Sequence, residues 1–276
     1  MKMPVSDMPA LFDRNALAAH RARAAQDGLF LHEVAVGEVQ DRLTVVNRSF
    51  TDVAVVAPFP NPWLSAFPDA RYIADDDVLG LGPESCDLVI HVMALHWSND
   101  PVGQLIQCRR ALRPDGLLIA LCPGGQTLHE LRSALGQAEA EVTGGLSPRI
   151  APMGEIRDLG SLLQRAGLAL PVADSVPLTV SYADIWHLMR DLRAMGETNA
   201  LSDRLRRFTR RTVLERAADL YAAHFPMPDG RLRATFEFIC LTGWAPDDSQ
   251  PKPLRPGSAQ ARLAEALGTD ETKLPD

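Results

Sequence analysis

Short apolar runs alternate with amphipathic segments through the middle of the chain. Val53–Ala57, Asp87–Val92 and Leu117–Leu121 are almost entirely apolar, which is typical of strands buried on both faces of a parallel sheet. Between the last two, Pro101–Leu112 carries its apolar side chains on one side of a helix. Parallel strands need a crossover connection, so this alternation predicts an α/β fold with a doubly wound, mostly parallel sheet.

The rest of the pattern completes this arrangement. We predict further strands at Arg71–Ala74, near Leu178–Val180 and at Thr235–Leu241. Further helices are predicted from Leu11 to about Gln40, around Trp63–Phe67, from Thr127 to about Val142, near Ile156–Ala166, at Tyr182–Met195 and in an arginine-rich segment, Arg204–Arg211. Thr127 and Glu130 have the spacing of a capping box, in which each would satisfy a backbone N–H of the helix start.

Composition changes mark three segments. We predict an N-terminal helical segment over residues 1–40, an α/β domain over 41–244 and an extended tail over 245–276 that ends in a short helix at Ala259–Leu267. No apolar stretch is long enough to span a membrane, and the first residues lack the plan of a signal peptide. A cytoplasmic location is therefore expected.

The charge balance argues against a general affinity for nucleic acid. The chain has 28 basic and 35 acidic side chains and a formal charge of −7, which opposes attraction to a phosphate backbone. The arginine-rich segment is either a solvated helix face paired with Asp203 and Glu215 or a docking surface for an acidic protein. The four cysteines lie far apart without metal-ligand spacing, so we expect reduced thiols and no metal site.

Two parts of the chain resemble class I S-adenosylmethionine-dependent methyltransferases. Cys86–Ile90 followed by Ala94–Asp100 is similar to their fourth strand and the start of the next helix, and Leu112–Leu118 is similar to the Pro-Asp-Gly turn before the fifth strand. The resemblance implies a Rossmann-like fold.

Shorter islands narrow the resemblance. They are Leu11–Arg14, Leu95–Asp100, Gly124–Arg132, Ser147–Pro148, Met195–Asn199, Gly243–Trp244, Ser249–Gln250 and Pro256–Ala259. Together they resemble the arginine-hydroxylase assembly factor of respiratory complex I, a family close to the malonyl-carrier-protein methyltransferase of biotin synthesis. The resemblance implies S-adenosylmethionine as cofactor and, as target, an arginine on an iron–sulfur subunit next to the quinone site.

The stretch that should hold the cofactor departs from this family. A class I methyltransferase uses glycines after its first strand, because only glycine lets the backbone approach the cofactor closely. The matching stretch here, Ala57–Pro62, has no glycine and three prolines, each of which fixes φ near −65° and removes a backbone donor. Phe59 adds bulk where the cofactor should lie. The sequence therefore predicts that the usual cofactor clasp cannot form.

The part of the chain that should hold the cofactor is also too short for the two helix-and-strand units of the family. Only 19 residues separate Val56, the end of the first strand, from Asp75, whereas two helix-and-strand units need roughly 45 to 50 residues. We predict a reduced N-terminal half that lacks the second strand and its ribose-binding acid. By resemblance, Asp75 and Asp76 match the acidic turn that meets the adenine amine, and a solvated polar loop is the alternative. No cofactor is expected, and S-adenosylmethionine would bind only through an unconventional site.

Three pairs of residues are candidates for contact with a substrate or partner. His96 and Trp97 follow a strand at the edge of the sheet where ligands collect, with packing as the alternative. Gly125 and Thr127 lie at a predicted helix start, where free N–H groups suit anionic or carbonyl ligands, although a turn and a cap explain them equally well.

The third pair is Glu197 and Asn199. They follow a helix that Gly196 can end, and their polarity exceeds what a cap requires. No catalytic residue can be named from the sequence.

Two functions follow from these observations. The first is a methyltransferase-like protein without usual S-adenosylmethionine binding, which acts as a binding or assembly module for respiratory complex I with a respiratory subunit or an active paralogue as partner. The alternative is an active methyltransferase or protein-arginine hydroxylase with an unconventional cofactor site. A nucleic-acid partner is not expected, because of the charge.

Overall fold

The computed structural model describes residues 10–251 and Gly268. Internal contacts divide the chain at Pro246 into two units, Met1–Pro246 and Asp247–Asp276. The three-segment division stays a prediction, and its first boundary, at residue 40, falls inside a helix that runs over Phe30–Val45.

Two expectations fall on the C-terminal part of the chain. The short helix predicted at Ala259–Leu267 and the island Pro256–Ala259 lie outside the described residues. Among the residues that are described, no helix combines the length and apolarity that a membrane span requires.

Within residues 10–251, six strands form one sheet in the order β2-β1-β3-β4-β6-β5. The first four are mutually parallel, and β6 runs antiparallel between β4 and β5. This order confirms the predicted doubly wound, mostly parallel α/β fold. The strands are β1 (Val53–Ala57), β2 (Arg71–Ala74), β3 (Cys86–Val92), β4 (Leu112–Pro123), β5 (Ala169–Tyr182) and β6 (Leu232–Trp244).

Helices cover both faces of the sheet because successive strand residues point to opposite sides. Val55 and Ile90 pack on one face against α2, α5, α7 and α8, and Ala54 and Val89 pack on the other face against α4 and α6. The helices are α1 (Arg14–Arg21), α2 (Phe30–Val45), α3 (Trp63–Ala66), α4 (Pro101–Ala111), α5 (His129–Thr143), α6 (Ile156–Arg165), α7 (Ile185–Ala194) and α8 (Arg211–His224).

The single N-terminal helix predicted from the sequence is divided into α1 and α2. Ala25 N donates to Ala194 O at 2.8 Å, and a Cβ on Gly28 would lie 2.6 Å from the Ala194 Cβ. The chain between the two helices therefore packs directly against the end of α7, which a continuous helix cannot do.

The prediction of an arginine-rich helix was wrong. Residues 202–210 are irregular, and α8 begins only at Arg211. Phe208, the large apolar residue of this segment, is fully exposed. A helix here would bury no apolar stripe, and packing of such a stripe supplies most helical stability in proteins.

The predicted capping box is also absent. Leu128, with φ of 56°, precedes α5 and makes no side-chain cap. Thr127 Oγ1 instead accepts from Glu237 N at 2.9 Å and donates to Glu237 O at 3.1 Å. Glu130 accepts from the backbone and hydroxyl of Thr235. Strand β6 passes beside the start of α5 and takes both side chains, which local spacing does not reveal.

Strand β2 pairs directly with β1, with Val55 opposite Tyr72. The chain length between β1 and β3 correctly predicts a single strand there. However, this strand, β2, lies beside β1, where the sequence analysis predicted that the family's second strand is missing. In the described range β2 is the outermost strand on its side of the sheet. The number of residues limits how many strands can form but does not determine which position in the sheet the remaining strand takes.

Candidate functional site

The carboxyl ends of β1, β2 and β3 meet at one edge of the sheet, where ligand sites of open α/β sheets lie. Beyond β1, Phe59 and Trp63 turn back onto His32 of α2. The Phe59 and His32 rings are 5.5 Å apart, and Trp63 Nε1 donates to His32 Nδ1 at 3.2 Å. Burial lowers the pKa of His32 to about 4, so the ring is neutral. These side chains fill the space above the end of β1.

Asp75 follows β2 and is bound by two arginines of α1. Arg21 Nη1 lies 2.8 and 2.7 Å from the two carboxylate oxygens, and Arg14 Nη1 lies 3.4 Å from Oδ2. The side chains of Arg21 and Asp75 are 10% and 11% exposed. The carboxylate is therefore neutralised inside the chain.

Asp76 contributes its backbone to the same edge. Its carbonyl accepts from Gln104 Nε2 at 2.7 Å, while Gln104 Oε1 lies 3.2 Å from His91 Nε2. The Asp76 residue itself is exposed. His91 is buried, and its Nδ1 has no hydrogen-bond partner among the described residues.

These residues do not fit S-adenosylmethionine held in the usual way. A ribose-binding acid needs carboxylate oxygens that accept from the sugar hydroxyls, and both oxygens of Asp75 accept from Arg21. The recess between Asp75 and His91 is too narrow to admit a water molecule. The assignment of Asp75 and Asp76 to a cofactor site stays a prediction.

A cavity of about 290 Å³ opens beside this filled edge. Its walls are mostly apolar and come from α2, α5, α7 and β6, with Leu31, Leu131, Leu135, Met189 and Phe236 among them. Few polar groups face it, which is the usual composition of a small-molecule or side-chain pocket. They belong to His96, Trp97, Thr127, Arg149, Arg193, Glu197, Thr198 and Asn199.

Glu197 is the buried acid of the cavity. Its Oε2 accepts from Trp97 Nε1 at 2.6 Å and lies 3.0 Å from His96 Nε2. Burial acts to raise the pKa of Glu197, but His96, Arg21 and Trp97 outweigh it and hold the pKa below its ordinary value. Glu197 Oε1 and His96 Nδ1 are buried and have no hydrogen-bond partner among the described residues. A charged acceptor is thus left unsatisfied in an apolar wall.

The turn after α7 positions this acid. Gly196 has φ of 77°, and a Cβ there would lie 3.1 Å from the Arg21 Cα. Glu197 N donates to Leu192 O at 2.8 Å, which closes the helix with a left-handed residue. The tight turn lets α1 and the acid approach each other.

A second buried acid fixes the loop at the cavity wall. Glu139 of α5 accepts from Arg149 Nη2 at 2.7 Å and from Ser147 Oγ at 2.8 Å. The hydrogen bonds from Arg149 lower the pKa of Glu139. Arg149 is therefore neutralised where it meets the cavity.

Five of the six candidate contact residues line this cavity: His96, Trp97, Thr127, Glu197 and Asn199. Asn199 is also held by the fold, because its Nδ2 donates to Pro148 O at 2.9 Å. Gly125 is not part of the lining; a Cβ there would lie 2.2 Å from Glu237 Oε2, so its role is close packing. Whether the other five touch a ligand stays a prediction.

Sequence reasoning missed Arg21 and His32. Arg21 lies 54 positions before the acid it binds, and His32 sits on a helix whose other buried residues are apolar. No spacing rule marks either residue. Within the part of the chain that is described, no group of three or more His, Cys, Asp or Glu side chains can hold a metal ion.

The strand order and this edge define the chain as a protein of the class I methyltransferase fold. A family model described as a methyltransferase domain matches residues 43–120. A structure from Bacillus halodurans, described as a candidate methyltransferase, aligns with a TM-score of 0.50 and 13% identity over 77% of this chain and 99% of that chain. At that identity the likeness concerns the fold alone.

Curated relatives narrow the family. Arginine-hydroxylase NDUFAF5, mitochondrial, of Danio rerio is 34% identical over 91% of this chain and 72% of its own length. The Dictyostelium discoideum protein of the same name is 39% identical over 71% of this chain and 45% of its own length. The malonyl-[acyl-carrier protein] O-methyltransferase of a Methylovorus species is 36% identical over 64% of this chain and 57% of its own length.

The chain therefore belongs to the NDUFAF5 arginine-hydroxylase family, and the predicted superfamily and branch are confirmed. It spans 72% of the zebrafish relative but only 45% of the Dictyostelium one.

Proposed function

We propose that this chain is a binding module of the NDUFAF5 family that works without S-adenosylmethionine and receives a side chain of a protein partner beside Glu197. The proposal rests on one contrast. The chain's own side chains fill the edge of the sheet around Asp75, where the family would hold its cofactor, whereas the neighbouring cavity of about 290 Å³ stays open. Pockets for drug-sized ligands begin at about 300 Å³. The open space lies at the lower end of this range and can hold one long side chain.

The chemistry of the cavity supports a guanidinium guest. An arginine can lay its methylene stem along Leu131 and Met189 and place its guanidinium beside the Glu197 carboxylate, since all three residues line the wall. The buried Oε1 of this carboxylate has no hydrogen-bond partner among the described residues. The NDUFAF5 relatives are named arginine-hydroxylases, which agrees with this guest. The partner we propose is a respiratory subunit or an active paralogue, in the assembly of complex I that the sequence resemblance implies.

The second candidate is an active methyltransferase or protein-arginine hydroxylase with an unconventional cofactor site. Membership of the family and the buried pair of His96 and Glu197 favour it. The cytoplasmic location stays a prediction, since the curated relatives are named mitochondrial proteins.

Isothermal titration separates the two candidates. S-adenosylmethionine and S-adenosylhomocysteine are titrated into the full chain, beside a methyltransferase that binds both. No heat with this chain supports the binding module. Micromolar affinity, about −8 kcal/mol, would overturn it.

A second titration tests the guest. N-acetyl-arginine amide is compared with the neutral citrulline analogue by NMR. We expect binding only of the arginine compound, and loss of that preference in Glu197→Gln but not in Glu215→Gln, whose side chain is half exposed. Equal binding of both compounds would contradict a role for the carboxylate.

A further inference from the structure

The loop before α8 carries a dense set of arginines. We name residues 204–210 the arginine loop. Arg204 Nη2 lies 2.9 Å from Asp13 Oδ2, and Arg211 Nε lies 2.7 Å from Glu215 Oε1. No ion pair of Arg207 or Arg210 occurs among residues 10–251. Two exposed guanidinium groups are therefore available in a chain whose formal charge is −7.

Between these two arginines, Phe208 is fully exposed. Arg207, Phe208 and Arg210 line a recess of about 80 Å³ together with Thr143 of α5 and Arg149. The partly exposed Leu205 adds an aliphatic side chain to the lining of the same recess. The surface therefore combines aromatic, aliphatic and arginine side chains, a mixture enriched in protein interfaces.

Arg149 joins this recess to the larger cavity, since it lines both. Its own charge is balanced by Glu139 at 2.7 Å. A polypeptide that places one side chain beside Glu197 can therefore extend past Arg149 from the cavity to the recess.

We propose that the arginine loop and its recess are the docking surface for an acidic segment of the partner protein. The inference rests on the proposed function, because the same segment supplies the side chain that enters the cavity. Carboxylates on either side of that side chain pair with Arg207 and Arg210, and an apolar residue covers Phe208. Complementary charge fixes the register of the segment and speeds its association.

The shape and the charges favour a protein over other anionic partners. A bilayer is flat on this scale, and it would bring its anionic headgroups against the exposed Asp203 and Glu215 as well as the arginines. A nucleic acid would meet the net negative charge of the rest of the chain. A polypeptide can place its own charges selectively and reach into a recess.

Fluorescence anisotropy with a labelled peptide tests the surface. The probe has one arginine flanked by glutamates, and its control has glutamines in place of the glutamates. We expect the acidic probe to bind the full chain at least about tenfold tighter at low ionic strength, and salt to reduce the difference. R207E/R210E should remove the difference, and Phe208→Ser should weaken both peptides.

The matched control is R157E/R165E, which reverses two exposed arginines of α6 on the other face of the sheet. It should leave the affinity of the acidic probe within about twofold. Failure of the acidic probe to bind, equal binding to R207E/R210E, or an equal loss in R157E/R165E would overturn the proposal. Phosphatidylserine vesicles or heparin that bind through Arg207 and Arg210 while the peptide does not would also overturn it.

The test also separates this inference from the proposed function. A probe with citrulline in place of arginine keeps its glutamates. If that probe still distinguishes wild type from R207E/R210E, the docking surface stands even where the arginine guest fails. If Glu197→Gln alone changes binding of the arginine probe, the cavity stands without the surface.

Discussion

The Arg21 guanidinium binds both carboxylate oxygens of Asp75, at 2.7 and 2.8 Å, and both side chains are almost buried. Arg21→Met leaves this carboxylate with the partly exposed Arg14 alone. We expect unfolding in urea at neutral pH to become easier by about 3 kcal/mol, since removing one partner of a buried pair leaves an uncompensated charge.

The control for this variant is an exposed pair. Arg113 lies 2.7 Å from Asp52, and the two side chains are 45% and 50% exposed. Arg113→Met should lower the free energy of unfolding far less than Arg21→Met does, because exposed ion pairs contribute little to stability. An equal cost for the two variants would mean that Arg21 does not hold α1 to the sheet edge.

The His32 ring makes stability depend on pH. Burial lowers its pKa to about 4 from 6.5, so the unfolded chain binds a proton between these values and the folded chain does not. The contribution of the neutral His32 ring to the free energy of unfolding is complete above pH 6.5. It is lost as the pH falls toward 4, at about 1.4 kcal/mol per pH unit. His32→Leu should therefore flatten the urea stability profile between pH 6.5 and 5.

His187 provides the control, because its ring is half exposed. His187→Gln should keep the slope of the wild type. Burial also lowers the pKa of His91, which adds a slope of the same sign, so the difference between variants is the quantity to measure. An unchanged slope in His32→Leu would contradict the assignment.

Thr127 is expected to act through the fold. Its hydroxyl accepts from Glu237 N and donates to Glu237 O, and Thr127→Val removes both bonds. The free energy of unfolding should fall by about 1–3 kcal/mol, with little change in the affinity for N-acetyl-arginine amide. Thr212→Val, at an exposed position, serves as control. Lost affinity at unchanged stability would mean that the hydroxyl faces the ligand.

Asn99 ties the N-terminal segment to the cavity edge. It accepts from Phe12 N at 2.9 Å and donates to Phe12 O at 3.0 Å, and Phe12 packs edge-on against Trp97. In Asn99→Ala we expect faster hydrogen exchange across α1, because two backbone groups lose their partner. Asn47→Ala, at an exposed site, should leave exchange unchanged; a similar rise in both would rule out this tie.

Local pattern predicted most of the sheet. The bounds of Val53–Ala57 and Arg71–Ala74 are those of β1 and β2, because buried runs bounded by turn residues define their own ends. The glycine-free turn at Ala57–Pro62 likewise predicted an altered edge of the sheet.

Contacts between residues that lie far apart in the chain could not be predicted from the sequence. Arg21 with Asp75 and Glu130 with Thr235 are separated by 54 and 105 positions, and no periodicity marks them. Glu130 in particular satisfies a local capping rule that the neighbouring strand overrides. Of the cavity residues, His96 was predicted because it follows a strand at the edge where ligands collect, and Glu197 because its polarity exceeds what the helix cap at Gly196 requires.

The shortened connection between β1 and β3 has an evolutionary consequence. Because β2 is the outermost strand within residues 10–251, a lineage with this architecture could not add a further helix and strand beside β2 by exchanging single amino acids. It would need an insertion of roughly two dozen residues to rebuild a helix and a strand. Substitutions at this edge can therefore change the side chains that β2 presents but not the number of strands beside it.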